Sequence, residues 1–264
     1  MNDGPFTVMV PLGEGRSYQS SRRVRLGDAT PTGHVRLDAV ARYLQDVARD
    51  DVDAAGISGE AAWVVRRSSL EVRHRPKYED RLDLVTWCSG TGAAWAERRT
   101  TISRAGRPLI EASSLWVCMD PVTSRPRPLN ERFFAVYGQT PQSRTVPSRL
   151  QLPAEPPDGA TSRPFPLRRA DLDVLGHVNN AVAWTALEEQ VAPERFITRA
   201  QVEYRHAIEP GVDFGVVNAE HEDVAAEDGI VVGAWLVEGS GVAGVTAVAA
   251  VLRLSDPESS AAGG

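Results

Sequence analysis

A short phrase occurs twice in this chain, and its repetition constrains the fold more than any other feature. Asp28-Ala-Thr-Pro-Thr-Gly-His-Val35 lines up with Asp171-Leu-Asp-Val-Leu-Gly-His-Val178, and a helical pattern of apolar residues follows each copy. Further on, Glu71-Val-Arg-His74 lines up with Glu203-Tyr-Arg-His206, each opening an extended stretch. Two matches in the same order point to a duplicated unit, and such a repeat changes every later assignment. The 264 residues then divide into two halves of roughly 130, each long enough to bury its own core.

The patterning inside each half agrees. Leu37, Val40, Ala41, Leu44, Val47 and Ala48 recur at helical spacing and predict a helix with one buried face. Val182, Trp184, Leu187 and Val191 give a shorter version in the second half. Strand-like runs bounded by turns follow each helix: 63–72, 81–89, 93–103 and 109–119, then 200–205, 214–220, 230–238 and 242–254. One helix followed by several antiparallel strands, twice over, is an α+β pattern.

Between the halves, residues 121–166 hold ten of the eighteen prolines and read as a connector. Within it, Asn130-Glu-Arg-Phe-Phe-Ala-Val-Tyr137 predicts a short helix or docking segment, because its aromatics need cover. The expected division is an N-terminal extension at 1–16, a first unit at 17–120, the connector, a second unit at 167–254, and a frayed tail at 255–264.

Composition removes several functional classes. A net charge of −6 argues against nonspecific nucleic-acid binding, which needs a positive field. The N-terminus lacks a basic segment followed by an apolar one, and the most apolar stretch, Gly241 to Leu252, is shorter than the ~18 residues a membrane span needs. A cytoplasmic address is expected. Cys88 and Cys118 stand thirty apart with no CxxC and no histidine cluster, so they read as buried free thiols; no metal or other cofactor is implied.

The phrase Trp63-Val-Val-Arg-Arg-Ser-Ser-Leu-Glu-Val72, the phrase Ala112-Ser-Ser-Leu-Trp-Val-Cys-Met119 and above all Asp171-Leu-Asp-Val-Leu-Gly-His-Val-Asn-Asn180 resemble acyl-acyl carrier protein (acyl-ACP) thioesterases of the plant and bacterial kind. The likeness runs over roughly 17–254. It implies a tandem (double) hotdog, each half an antiparallel sheet wrapped around a long helix, and hydrolysis of fatty acyl thioesters carried on acyl carrier protein or CoA. The Asp-x-x-Gly-His-Val-Asn-Asn string is also similar to the wider 4-hydroxybenzoyl-CoA thioesterase-like enzymes, so it specifies the superfamily more than one substrate.

The chemistry of the string fits. A thioester carbonyl needs a nucleophile or base on one side and hydrogen-bond donors at its oxygen on the other. Gly176 lets the backbone approach a ligand closely, and a helix starting behind Gly176-His177 would offer free N–H groups as an oxyanion hole. By resemblance Asp173 activates water or attacks the carbonyl, while His177 and Asn179 orient and polarise. Asn180 and Leu175 would touch substrate, and Ala41 and Leu44 would line the acyl pocket. The competing reading is that Asp171 or Asp173 caps a helix and the asparagines finish a turn.

The resemblance is incomplete. Leu175 occupies a position where plant enzymes carry a catalytic asparagine, and their later Glu-Cys pair falls on Ala207 and Ile208. Glu209 could replace the missing carboxylate if its strand were shifted or bulged; Glu188 and Glu189, on the helix after Asn180, are other candidates, though solvated helix charges are the simpler reading of them. The first copy has Thr30 in place of Asp173, so one active site per chain is expected and His34 reads as structural. Arg66, Arg67, Arg168 and Arg169 are candidates for docking an acidic carrier protein. A tandem fold satisfies internally the pairing that single hotdogs make by dimerising, so either a monomer or a homodimer is consistent. Two alternatives stay open: a hotdog hydratase or dehydratase, and an acyl-thioester binding protein without turnover.

Overall fold

The computed structural model describes residues 15–138, 144–220, 230–239 and 244–255. The described residues fall into two compact units, 15–35 with 42–150, and 36–41 with 151–255. Each is built on antiparallel strands, and the architecture is α+β.

The first unit holds β1 (Ser17–Arg23), most of α1 (Leu37–Ala54), β2 (Ala62–Val72), β3 (Arg81–Thr91), β4 (Trp95–Arg104), β5 (Arg107–Met119) and α2 (Glu131–Tyr137). Its strands lie in the order β1-β3-β4-β5-β2. Of the stripe expected in α1, Leu37, Val40, Ala41, Leu44 and Val47 are buried and Ala48 is half-buried; Asp38, Ala39 and Tyr43 are buried too, so the helix is enclosed beyond one face at its start. β1 was not expected, because its alternation buries no side chain at all; its backbone pairing with β3, from Ser17 opposite Trp87 to Arg23 opposite Arg81, is what makes it a strand.

In the second unit, β6 (Thr161–Pro164), α3 (Ala181–Glu188), β7 (Ile197–Tyr204), β8 (Phe214–Glu220), β9 (Val231–Glu238) and β10 (Thr246–Leu254) follow in sequence. The strand order is β7-β10-β9-β8-β6. α3 differs from its expected form. Ala181, Ala183, Trp184, Ala186 and Leu187 are buried while Val182 is only half-buried, so the helix is enclosed on most sides and shows no clean stripe. Val191 lies beyond its end.

The connector is ordered where it is described. Asn130 caps α2 by accepting the Phe133 N–H, and Phe133 and Tyr137 bury into a cluster with Ile57, Cys88, Ala96, Cys118 and Leu129. The Trp95 indole donates to Val146 O at 2.8 Å, and the Arg67 guanidinium donates to Pro147 O and Arg149 O. Arg67 is therefore buried under the connector, which removes it from the docking candidates. At the C-terminal end, Ser255 is anchored rather than frayed: its N–H donates to Phe196 O and its carbonyl accepts from Arg195. The rest of the expected tail, and residues 1–14 of the expected extension, lie outside the described residues.

Candidate active site

The repeated phrase folds twice into the same loop. Its first copy begins with a single 3-10 turn, Leu26–Asp28, whose Asp28 carboxylate accepts the Arg25 N–H; the second begins with Arg169–Asp171, whose Asp171 accepts the Arg168 N–H. An isolated bridge then closes each loop, Ala29 to Val35 and Leu172 to Val178. Thr30 N–H donates to His34 O and Gly33 N–H to Thr30 O; likewise Asp173 N–H donates to His177 O and Gly176 N–H to Asp173 O. Gly33 and Gly176 take φ values of +80° and +79°, which a Cβ would strain.

Within the second copy the side chains divide their tasks. Oδ1 of Asp173 accepts the Leu175 N–H at 2.8 Å and the His177 N–H at 3.3 Å. Among the described residues its Oδ2 has no hydrogen-bond partner. Asp173 is half-buried, and Val174, Leu175 and His177 are exposed at the loop tip. Asn179 Oδ1 accepts the Ala181 N–H at the start of α3, and the Asn180 carbonyl accepts the Tyr204 hydroxyl.

The helix expected directly behind Gly176 begins instead at Ala181. The Gly176 and His177 N–H groups donate into their own loop, to Asp173 O and Oδ1, so neither is an open donor in this conformation. Ala41 and Leu44 are buried core positions. Neither lines the cavity bounded by Ile57, Trp63, Cys118, Leu129 and Phe133 in the first unit.

Three residues support the site in ways the sequence did not indicate. Tyr204 receives the Trp184 indole N–H at 3.0 Å while donating to Asn180 O, which ties β7 and α3 to the loop. Asp171 is buried beneath Arg168. Burial would raise its pKa, but the side-chain and backbone hydrogen bonds from Arg168, with its charge, hold the carboxyl below the usual range. Glu188 is half-buried and accepts the Leu37 N–H, so it is not the solvated helix charge expected of it. Tyr204 could have been singled out from the second repeat, Glu203-Tyr-Arg-His206. Arg168 is exposed on Asp171, and Arg169 is also exposed; Arg66 is half-buried. Glu209 is exposed beside Ile208, whose carbonyl accepts the Val178 N–H.

The model of the acyl-ACP thioesterase N-terminal domain matches residues 15–137, and that of the acyl-ACP thioesterase C-terminal domain matches residues 154–247. This chain belongs to the acyl-ACP thioesterase family. Membership makes it a thioester hydrolase by class. An uncharacterized protein of Mycobacterium tuberculosis is 29% identical over 214 residues, covering 80% of this chain and 85% of that one. Oleoyl-acyl carrier protein thioesterase 2 of Arabidopsis thaliana is 25% identical over 65% of this chain, and the match spans about half of the plant protein, 53%. Among solved structures, the 12:0-ACP thioesterase of Umbellularia californica superposes with a TM-score of 0.73 at 19% identity, covering 90% of this chain and 93% of that one. An acyl-ACP thioesterase of Bacteroides thetaiotaomicron gives 0.74 at 14%, covering 90% and 98%. These two likenesses carry the acyl-ACP thioesterase fold. No helix among the described residues is long and apolar enough to cross a membrane.

Proposed function

We propose that this protein releases fatty acid from acyl-acyl carrier protein, or from acyl-CoA, as a tandem hotdog with one catalytic loop, the Asp173–Asn180 segment. The observation that carries this reading is the state of Asp173. Two loop N–H groups fix one carboxylate oxygen and leave the other open, four residues before an exposed histidine. A carboxylate held this way can take a proton from water as it attacks the thioester carbonyl, or attack directly.

The donors for the carbonyl oxygen follow from what the loop has already used. Because the Gly176 and His177 N–H groups serve Asp173, an oxyanion hole built on them requires the loop to open around its 3.3 Å His177 contact. The His177 ring and the Asn180 carboxamide are the polarising groups in the closed loop, and Asn179 holds the start of α3 in place. Leu175, at the exposed tip, contacts substrate, and Ala41 of the same unit borders the acyl chain.

The test is thiol release from acyl-carrier-protein and acyl-CoA substrates of several chain lengths by wild type and Asp173→Asn. The asparagine keeps an acceptor for the loop N–H groups and removes the base. A fall in kcat of about a hundredfold or more supports the reading. Full activity in Asp173→Asn would remove Asp173 from the mechanism. Water addition or loss without thiol release would favour a hydratase, and tight substrate binding with neither reaction would favour a binding protein.

A further inference from the structure

The second repeated phrase ends on a histidine in both copies, His74 and His206, and the two are partnered differently. Their equivalence holds in space. Each lies two residues before the carbonyl that receives its loop, since the Val35 N–H donates to Pro76 O and the Val178 N–H to Ile208 O. In each unit the partner comes from the hairpin that joins the last two strands. Arg107, the first residue of β5, donates from Nη2 to His74 Nε2 at 2.6 Å, so that ring nitrogen accepts. Glu238, the last residue of β9, instead sets its Oε1 3.4 Å from His206 Nδ1. The repeated histidine meets a carboxylate in the unit whose loop carries Asp173, and a guanidinium in the unit whose loop carries Thr30.

The His206 ring also acts on its own backbone. Nδ1 lies 3.0 Å from Ala207 O, and a carbonyl oxygen can only accept, so Nδ1 carries the proton. That N–H is held between Ala207 O and the Glu238 carboxylate. It fixes the peptide link from Ala207 to Ile208, and the next carbonyl along, Ile208 O, takes the Val178 N–H at 3.3 Å. Val178 and Ile208 are both buried, and Val178 bridges Leu172 to close the base of the Asp173 loop. β7 ends at Tyr204, so residues 206–209 lie past its ladder with β10. Glu238, by contrast, is anchored: its N–H donates to Val245 O and it stands opposite Phe214 in the sheet. A line of contacts therefore runs from β9 through Glu238, the His206 ring and Ile208 O to the foot of the loop.

We propose that His206, held by Glu238, is a positioning residue for the loop that carries Asp173, fixing the carbonyl on which the foot of that loop rests. The inference rests on the catalytic reading of the loop given above, yet the brace itself is measurable without turnover. Misplacing a reacting group by ~1 Å costs on the order of a hundredfold in rate, so a smaller drift at the loop's foot should show in kcat. His206 is exposed and Glu238 half-buried, so replacing either leaves the core filled.

The test compares wild type with His206→Ala, Glu238→Ala and Glu238→Gln in the full chain. Amide hydrogen exchange at Val178, followed by NMR, reads the brace; steady-state thiol release from an acyl-CoA reads its use. Both alanine variants should exchange about threefold or more faster at Val178 and lose about three- to tenfold in kcat, with KM within about twofold and the melting temperature within a few degrees. Glu238→Gln should fall between, because the amide oxygen still accepts. The double alanine variant should be no worse than His206→Ala, since the two side chains act through one contact. Unchanged exchange at Val178 overturns the proposal, and so does faster exchange with kcat intact or a lower kcat with exchange unchanged. Failure of the catalytic reading shows elsewhere, as full activity in Asp173→Asn with the exchange effect still present.

Discussion

The Glu188 carboxylate, in the last residue of α3, accepts the main-chain N–H of Leu37, the first residue of α1, at 2.7 Å. Both residues lie in the second unit. The first N–H groups of a helix have no partner inside it, and a carboxylate there meets the positive end of the helix dipole. Glu188 therefore serves as a capping group borrowed from another helix. Glu188→Ala is expected to cost about 1–2 kcal/mol of stability, and Glu188→Gln less, because the amide oxygen still accepts while the charge is lost. Urea denaturation of the three proteins measures both steps. Equal stabilities would mean that water replaces the cap without loss.

Tyr204 should matter to activity without touching substrate. Its hydroxyl accepts from the buried Trp184 indole and donates to Asn180 O, beside the proposed polarising group. Tyr204→Phe leaves the indole N–H unpartnered at a buried position, at a cost of about 1–3 kcal/mol. It also frees the Asn180 backbone, so kcat should fall while KM changes little. A loss of stability with kcat intact would limit Tyr204 to packing.

Much of this was legible from residues alone, for identifiable reasons. The α1 stripe was legible because Leu37, Val40, Ala41, Leu44 and Val47 are buried at helical spacing over three turns, and the repeat survives because Gly33 and Gly176 must hold positive φ and their neighbours close the same hydrogen bonds. β1 left no trace because Ser17–Arg23 buries nothing, and β6 is four residues ending in Pro164. α3 carried a weak signal because it is enclosed on most sides. The oxyanion expectation at Gly176 and His177 met the limit of sequence reasoning. Motif spacing locates N–H groups near a carboxylate, but loop closure decides where each one donates.

The buried acid of β4 makes the first unit sensitive to low pH. Glu97 is 4% exposed and accepts from Ser89 Oγ, Arg99 Nε and Arg144 Nη1, at 2.7, 3.1 and 2.6 Å. Burial would raise its pKa, yet the charges of Arg99 and Arg144 and hydrogen bonds from Ser89 and Arg144 hold it below the usual range. A depressed carboxylate contributes stability that is complete above the unfolded value, about 4.3 for glutamate, and is lost as pH falls through the folded one. Asp171 acts in the same direction in the second unit. Denaturation midpoints should therefore fall steeply below about pH 4. Glu97→Gln should be less stable at neutral pH, because buried Arg99 and half-buried Arg144 both lose this carboxylate's charge, and should show a shallower acid slope. A Gln variant with the wild-type slope would assign the acid sensitivity to other groups.

At Gly90 the connector lies close against the first sheet. A Cβ there would stand 2.6 Å from Val146 Cγ1 and 2.9 Å from the Arg144 guanidinium. Both neighbours are fixed: Val146 N–H donates to Thr91 O, Thr91 N–H donates to Arg144 O, and the Trp95 indole holds Val146 O. Gly90 does not have positive φ, so the conflict is one of space and not of backbone conformation. Gly90→Ala should then cost about 1–3 kcal/mol as the strap shifts outward, the usual range for overpacking. Val146→Ala removes the nearest atom, so the double variant should lose less stability than the two single changes added together. The coupling expected for such directly touching groups is about 0.5–3 kcal/mol, read from a double-mutant cycle in urea. Strict additivity would place the cost of Gly90→Ala at the Arg144 side of the contact, which Arg144→Ala in the same cycle would then identify.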